Sequence, residues 1–119
     1  MNTHLILAIF HILFVAPFFF AIAFMRSQMS EWMYNAILVA GIVILFYHAY
    51  KMMIRWQARS SGLWINAIHV ALVAPLLLYI GYNKKDTPRA AYEMAAMVGF
   101  AALGYHLYSM IVELQIHDD

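Results

Sequence analysis

The sequence predicts an all-α integral membrane protein in which four transmembrane helices form an antiparallel bundle. Three observations lead to this fold class: the composition, four long apolar segments, and an internal repeat. Of the 119 residues, 66% are hydrophobic and only 11% are charged, whereas a soluble domain is about half apolar and about a quarter charged. The formal net charge of +1 and the absence of cysteine argue against a basic nucleic-acid-binding surface, a disulfide framework and thiolate metal sites.

Four segments are long enough to cross a membrane, which takes about 20 mostly apolar residues. They are residues 5–25, 32–54, 63–82 and 90–112. The connections between them are short, so neighbouring helices should run antiparallel. The first segment lacks a basic flank and is longer than the apolar core of a signal peptide, which predicts a retained helix. We therefore expect a single multi-pass membrane domain over residues 1–119, with both termini on the same side.

The two halves of the chain resemble each other at an offset of 58 residues. With residues from about 1–58 laid on residues 59–119, fourteen aligned pairs are identical. The first members of these pairs are Leu5, His11, Val15, Ala16, Pro17, Ile22, Tyr34, Gly41, Leu45, Tyr47, His48, Tyr50, Met52 and Gln57. This pattern predicts a tandem repeat of a two-helix hairpin. Because each hairpin crosses the membrane an even number of times, the halves should be related by a pseudo-twofold axis along the membrane normal.

Each predicted helix carries one histidine in its apolar part: His11, His48, His69 and His106. At 1.5 Å per residue, all four lie about 10–13 Å from the membrane surface on the side of the termini. Ionisable side chains within membranes are rare, usually face the protein interior and usually have a function. The sequence therefore predicts a functional layer of four histidines.

A neutral imidazole is a common ligand of metals and of haem iron. We therefore expect the layer to bind haem b or a transition metal ion (Zn, Cu or Fe), and to serve electron transfer. Gly41 and Gly99 lie two turns from His48 and His106, where a missing side chain would leave room for a flat ring. The alternative for these glycines is close helix packing. Asn66 and Ser109 are candidates for hydrogen-bonding the remaining ring nitrogens.

Two other functions use the same residues without a cofactor. A ring of titratable imidazoles could conduct protons, as a channel or a transporter. Alternatively, the histidines hydrogen-bond between helices in a structural or assembly subunit of a larger membrane complex. The sequence contains no phosphate-binding loop, nucleophile elbow or HExxH motif, so no enzyme class is indicated. The expected partners are the lipid bilayer and either a second copy of the chain or another membrane subunit.

Overall fold

The computed structural model describes residues 2–118, with side chains for residues 2–116, and contains four long helices and no strand within that part of the chain. The helices are α1 (Thr3–Gln28), α2 (Glu31–Gln57), α3 (Leu63–Asp86) and α4 (Arg89–Asp118). All four are long and apolar enough, by length and composition, to cross a membrane, and their number is the predicted one. The fold is consistent with a multi-pass membrane protein.

Two of the helices contain a widened turn that begins at a histidine. In α1 the regular helix Thr3–Phe10 gives way to a π-helical turn, His11–Val15, and resumes at Ala16–Met25. The N–H of Ala16 donates to the carbonyl of His11, five residues back. Pro17 follows directly; its ring lacks an N–H and collides with the carbonyl four residues earlier in a regular helix. The wider turn relieves that collision, so the proline determines where α1 changes its pitch.

The same arrangement occurs in α3. Its regular segments, Leu63–Ile68 and Ala74–Asn83, flank a π-helical turn at His69–Val73, and Pro75 follows that turn. The N–H of Ala74 donates to the carbonyl of His69. In both helices the π turn is therefore followed by an alanine and then by a proline. Single π turns within α-helices occur frequently at functional sites.

The chain forms two compact units, each built from two antiparallel helices. The first comprises Met1–Arg26 and Tyr92–Asp119, and so joins α1 to nearly all of α4. In it, the side chain of Asn2 donates to Glu113 Oε1, and the rings of Phe20 and Phe100 lie 4.8 Å apart. The predicted repeats consist of consecutive helices, whereas this unit combines the first and the last.

The second unit, Ser27–Ala91, contains α2 and α3. Near the connection between these helices, Arg55 Nη1 donates to the carbonyl of Gly62 over 3.2 Å. At the opposite end, Lys84 forms an ion pair with Glu31. Exposed ion pairs of this kind contribute about 0–1 kcal/mol, so the apolar contacts along the helices hold this unit together.

Large apolar side chains are exposed along all four helices. Phe24 is 84% exposed, and Phe46, Met97 and Phe100 are also exposed. Such a surface is unsuited to water and suited to lipid acyl chains. Trp32 and Trp56 are exposed near the two ends of α2, as expected for aromatic side chains at membrane–water interfaces.

The residues that end the regular parts of α1 and α3 adopt an unusual backbone conformation. Arg26 has φ 51° and ψ −131°, and Lys84 has φ 52° and ψ −125°. Glycine adopts this region readily, whereas a residue with a Cβ atom is strained there. The two positions are 58 residues apart, the same offset as the sequence repeat.

This strain predicts that glycine is preferred over alanine at position 26. Arg26→Gly and Arg26→Ala remove the same hydrogen bond, from Arg26 Nε to the carbonyl of Ala23, so their difference reports the backbone alone. We expect the glycine variant to be more stable by about 1 kcal/mol, since strained positions store roughly 1–3 kcal/mol. Unfolding in mixed detergent micelles measures this difference. Equal stability of the two variants would contradict the assigned strain.

Candidate histidine site

In the first unit the structure brings His11 and His106 together. Their ring centroids are 4.1 Å apart and their planes are inclined by only 18°. His11 lies at the start of the π turn of α1, and His106 projects from α4. Both rings are half-buried. The ring of Tyr105 stands perpendicular to His106, with centroids 5.1 Å apart.

In the second unit His48 and His69 form a matching pair. Their centroids are 4.0 Å apart and their planes are inclined by 15°. His69 begins the π turn of α3, as His11 does in α1. Tyr47 stands perpendicular to His48, as Tyr105 does to His106. The four predicted site histidines therefore form two stacked pairs, one within each unit.

His11, His48 and His69 each hold a ring nitrogen against an oxygen acceptor. His11 Nδ1 lies 2.7 Å from the carbonyl of Leu7, and His69 Nδ1 lies 2.7 Å from the carbonyl of Ile65. A carbonyl oxygen only accepts, so each Nδ1 carries the hydrogen and donates it. In the neutral ring, Nε2 then holds the lone pair.

A hydrogen bond to the other helix of its unit fixes His48 in the same tautomer. Its Nδ1 donates to Asn66 Oδ1 over 3.0 Å. Asn66 is buried on α3, with 2% of its surface exposed. This confirms Asn66 as a hydrogen-bond partner of a ring nitrogen, although the sequence places it next to His69. His69 instead uses the carbonyl of Ile65 on its own helix.

The two predicted glycines lie on closely packed helix faces. A Cβ atom at Gly41 would approach the side chains of Leu77 and Leu78 to 3.1 Å. At Gly99 it would approach Phe20 to 3.0 Å and Phe19 to 3.3 Å. Side chains from the facing helix therefore fill the space beside each glycine. This arrangement agrees with the close-packing alternative for these two positions.

Sequence analysis did not identify an open groove in the first unit. Its volume is about 230 Å³, and it is lined by His4, Tyr105, Tyr108, Ser109, Val112 and Glu113. Ser109, a candidate partner of a ring nitrogen, is among the lining residues. The groove combines the start of α1 with the end of α4, so only knowledge of that pairing could have revealed it.

Among the side chains that the structure describes, those of residues 2–116, no group of three or more His, Cys, Asp or Glu is arranged to hold a metal ion. In each stacked pair the ring planes are nearly parallel, so the nitrogen lone pairs, which lie in those planes, do not converge on one point between the rings. The rings of a pair are in contact, so a porphyrin does not fit between them.

Known proteins give no further guidance about this site. No family model, no curated sequence and no solved structure matches the chain. The function is therefore argued from the geometry of the two histidine pairs.

Proposed function

We propose that this chain is a small membrane metalloprotein in which the histidines of each pair bind a transition metal through Nε2 once their two rings have moved out of the stack. One observation carries the proposal: Nδ1 of His11, His48 and His69 is committed to an oxygen acceptor in each case. Metal-binding histidines commonly donate their second ring nitrogen to such an acceptor, which fixes the tautomer and orients the ring.

The charge of the site favours a monovalent ion. Imidazole is an uncharged ligand, and among residues 2–116 no Asp or Glu joins either pair in a group of three possible ligands. No ligand charge therefore offsets the desolvation cost of an ion, which rises with the square of its charge. Copper(I) carries a single charge, and imidazole is a suitable ligand for copper. Copper(I) is therefore the ion we propose first, with iron, zinc and haem b as the alternatives to test. A site that cycles between copper(I) and copper(II) would transfer electrons within the membrane.

The same hydrogen bonds argue against proton conduction. A proton relay must accept a proton at one ring nitrogen and release it at the other. Nδ1 of His11 and His69 faces a backbone carbonyl, and a carbonyl cannot pass the proton onward. A histidine that binds a ligand through Nε2 can keep its Nδ1 hydrogen bond. The geometry therefore favours ligand binding over proton conduction.

We further propose that the chain arose by duplication of a two-helix hairpin. Support comes from features that recur 58 residues apart: the π turns at His11 and His69, the positive φ at Arg26 and Lys84, and the stacked rings. Four membrane crossings would then place both termini on the same side.

The proposal predicts that protein purified in detergent carries a stoichiometric metal centre. Elemental analysis and absorption spectra, oxidised and then dithionite-reduced, would be recorded on one sample from cells supplied with copper and haem. We expect up to one copper ion for each histidine pair. A Soret band with sharp reduced bands would instead assign haem. A colourless protein without stoichiometric metal would overturn the proposal, and proton flux in liposomes would become the next assay.

A further inference from the structure

The open groove of the first unit combines aromatic rings with one carboxylate. One wall comes from α1 at His4, and the other comes from α4 between Tyr105 and Glu113. Along α4 the lining extends over eight residues, about 12 Å at 1.5 Å per residue. The volume of about 230 Å³ is below the range of about 300–1,000 Å³ that is typical of drug-sized ligands. The groove therefore suits one small chemical group of a larger molecule.

Glu113 supplies the negative charge of this groove. Its half-buried carboxylate accepts a hydrogen bond from the side-chain amide of Asn2. This bond orients the carboxylate, and because an amide is uncharged the bond does not neutralise it. Among the described residues that line the groove, none is lysine or arginine. The groove is thus complementary to a cation.

The two tyrosines of the lining indicate which kind of cation fits. Tyr105 is 43% exposed and Tyr108 is 69% exposed, and the ring of Tyr105 stands perpendicular to that of His106. A tyrosine ring attracts a cation within about 6 Å of its centroid, and aromatic sites commonly recognise alkylated ammonium groups. Calcium and magnesium instead require about six oxygen ligands. Two rings and one carboxylate therefore favour an organic ammonium group.

The position of the groove along α4 points to the source of that group. The helix is long and apolar enough to cross a membrane, and its predicted apolar span ends at residue 112. Glu113 thus follows directly on the span, at the level where lipid headgroups begin. Tyrosine is enriched at the same level in membrane proteins. The headgroups of phosphatidylcholine and phosphatidylethanolamine both end in an ammonium group.

We propose that this groove binds the ammonium group of a zwitterionic phospholipid. The cation lies against Tyr105 and Tyr108 and pairs with Glu113. His4, on the α1 side, can donate a ring N–H to the lipid phosphate. The bound lipid contacts the start of α1 and the end of α4, and so adds to the contact between Asn2 and Glu113. This site is separate from the histidine pairs and does not depend on the proposed metal binding.

The second unit offers a matched comparison through the sequence repeat. At the offset of 58 residues Tyr108 corresponds to Tyr50, but Glu113 corresponds to Arg55. The Arg55 guanidinium donates to the carbonyl of Gly62 and is positively charged. A cation at this position repels an ammonium group, so we expect ammonium recognition in the first unit and not in the second.

Native mass spectrometry of the full chain in detergent tests the site. Phosphatidylcholine, phosphatidylethanolamine and phosphatidylglycerol with identical acyl chains would be added in equal amounts. We expect each chain to retain one zwitterionic lipid in preference to phosphatidylglycerol, which has no ammonium group. Glu113→Gln keeps an acceptor for Asn2 but removes the charge, and should weaken phosphatidylcholine binding about 10-fold. Glu93→Gln makes the same change at an exposed position of α4 and should leave binding unchanged.

Variants of Tyr108 test the aromatic contribution separately. Tyr108→Leu removes the ring and should weaken phosphatidylcholine binding about 2- to 5-fold. Tyr108→Phe keeps the ring and should bind as wild type does. Tyr50→Leu, the matching change in the second unit, should have no effect. Because Tyr108 is exposed, its variants decide the question even if Glu113→Gln fails to fold.

The remaining arm compares the lipid with free choline. A lipid that binds far more tightly than choline, and that depends on Glu113, would support the proposed lipid site. Choline that binds as tightly as the lipid would assign the groove to a soluble ammonium compound and overturn the lipid as its occupant. Equal retention of all three lipids, or unchanged binding in both Glu113→Gln and Tyr108→Leu, would overturn ammonium recognition itself.

Discussion

A His69→Phe variant is expected to lose metal binding at the second unit while keeping its fold. Phenylalanine preserves a flat ring against His48, where the centroids are now 4.0 Å apart, but supplies no ligand nitrogen. Affinity at this pair should fall by at least about 100-fold, because even the loss of an outer hydrogen-bond partner costs about 10- to 100-fold. Titration with copper(I), together with elemental analysis of the purified variant, measures this effect.

The matched control for this variant is His4→Ala. His4 lies at the start of α1, lines the groove of the first unit and belongs to neither stacked pair. Its replacement should leave the metal content unchanged. Equal loss of metal from both variants would point to nonspecific binding by surface histidines. Retention of metal by His69→Phe would exclude His69 as a ligand.

Gly81→Val is expected to disrupt the second unit more than any other single change we consider. A Cβ atom at Gly81 would lie 2.7 Å from the backbone N and Cα atoms of Leu38 on α2. Backbone atoms cannot rotate away as a side chain does, so α2 and α3 would have to separate. We expect a loss of about 3 kcal/mol, at the upper end of the range for overpacking. Unfolding in mixed micelles reports the loss of stability.

Gly104→Ala provides the matched control, because a Cβ atom at Gly104 would meet no other atom within 4 Å. Alanine favours helix over glycine by up to about 1 kcal/mol, so this variant should be as stable as wild type or more stable. Gly41→Ala should fall between the two, because its neighbours are the side chains of Leu77 and Leu78. If Gly81→Val were as stable as Gly104→Ala, the close approach of α2 to α3 would be contradicted.

Much of the helical architecture could be predicted because it depends on local properties of the chain. The length of an apolar segment determines whether a helix can cross a membrane. All four predicted segments lie within helices that are long and apolar enough to do so. The spacing between a histidine and a proline is also local. Proline is tolerated in membrane helices, so the two prolines alone did not indicate the π turn that precedes each of them.

The candidate site was less predictable because it depends on which helices are neighbours. The sequence places four histidines at one depth and predicts one converging layer. The structure joins α1 to α4 and α2 to α3, so the rings meet as two stacked pairs. No sequence pattern singled out Gly81. It matters because the backbone of Leu38, on another helix, packs closely against it.

Composition and spacing along the chain were enough to predict that this protein is helical, that four of its helices suit a membrane, and that each carries one histidine in its apolar part. These are consequences of composition and of residue spacing along one dimension. Only the tertiary structure decided which ring stacks on which, and that Asn66 hydrogen-bonds His48 rather than its near neighbour His69. The reason is that stacking and hydrogen bonding act over about 3–4 Å, a distance set by helix packing and not by separation along the chain.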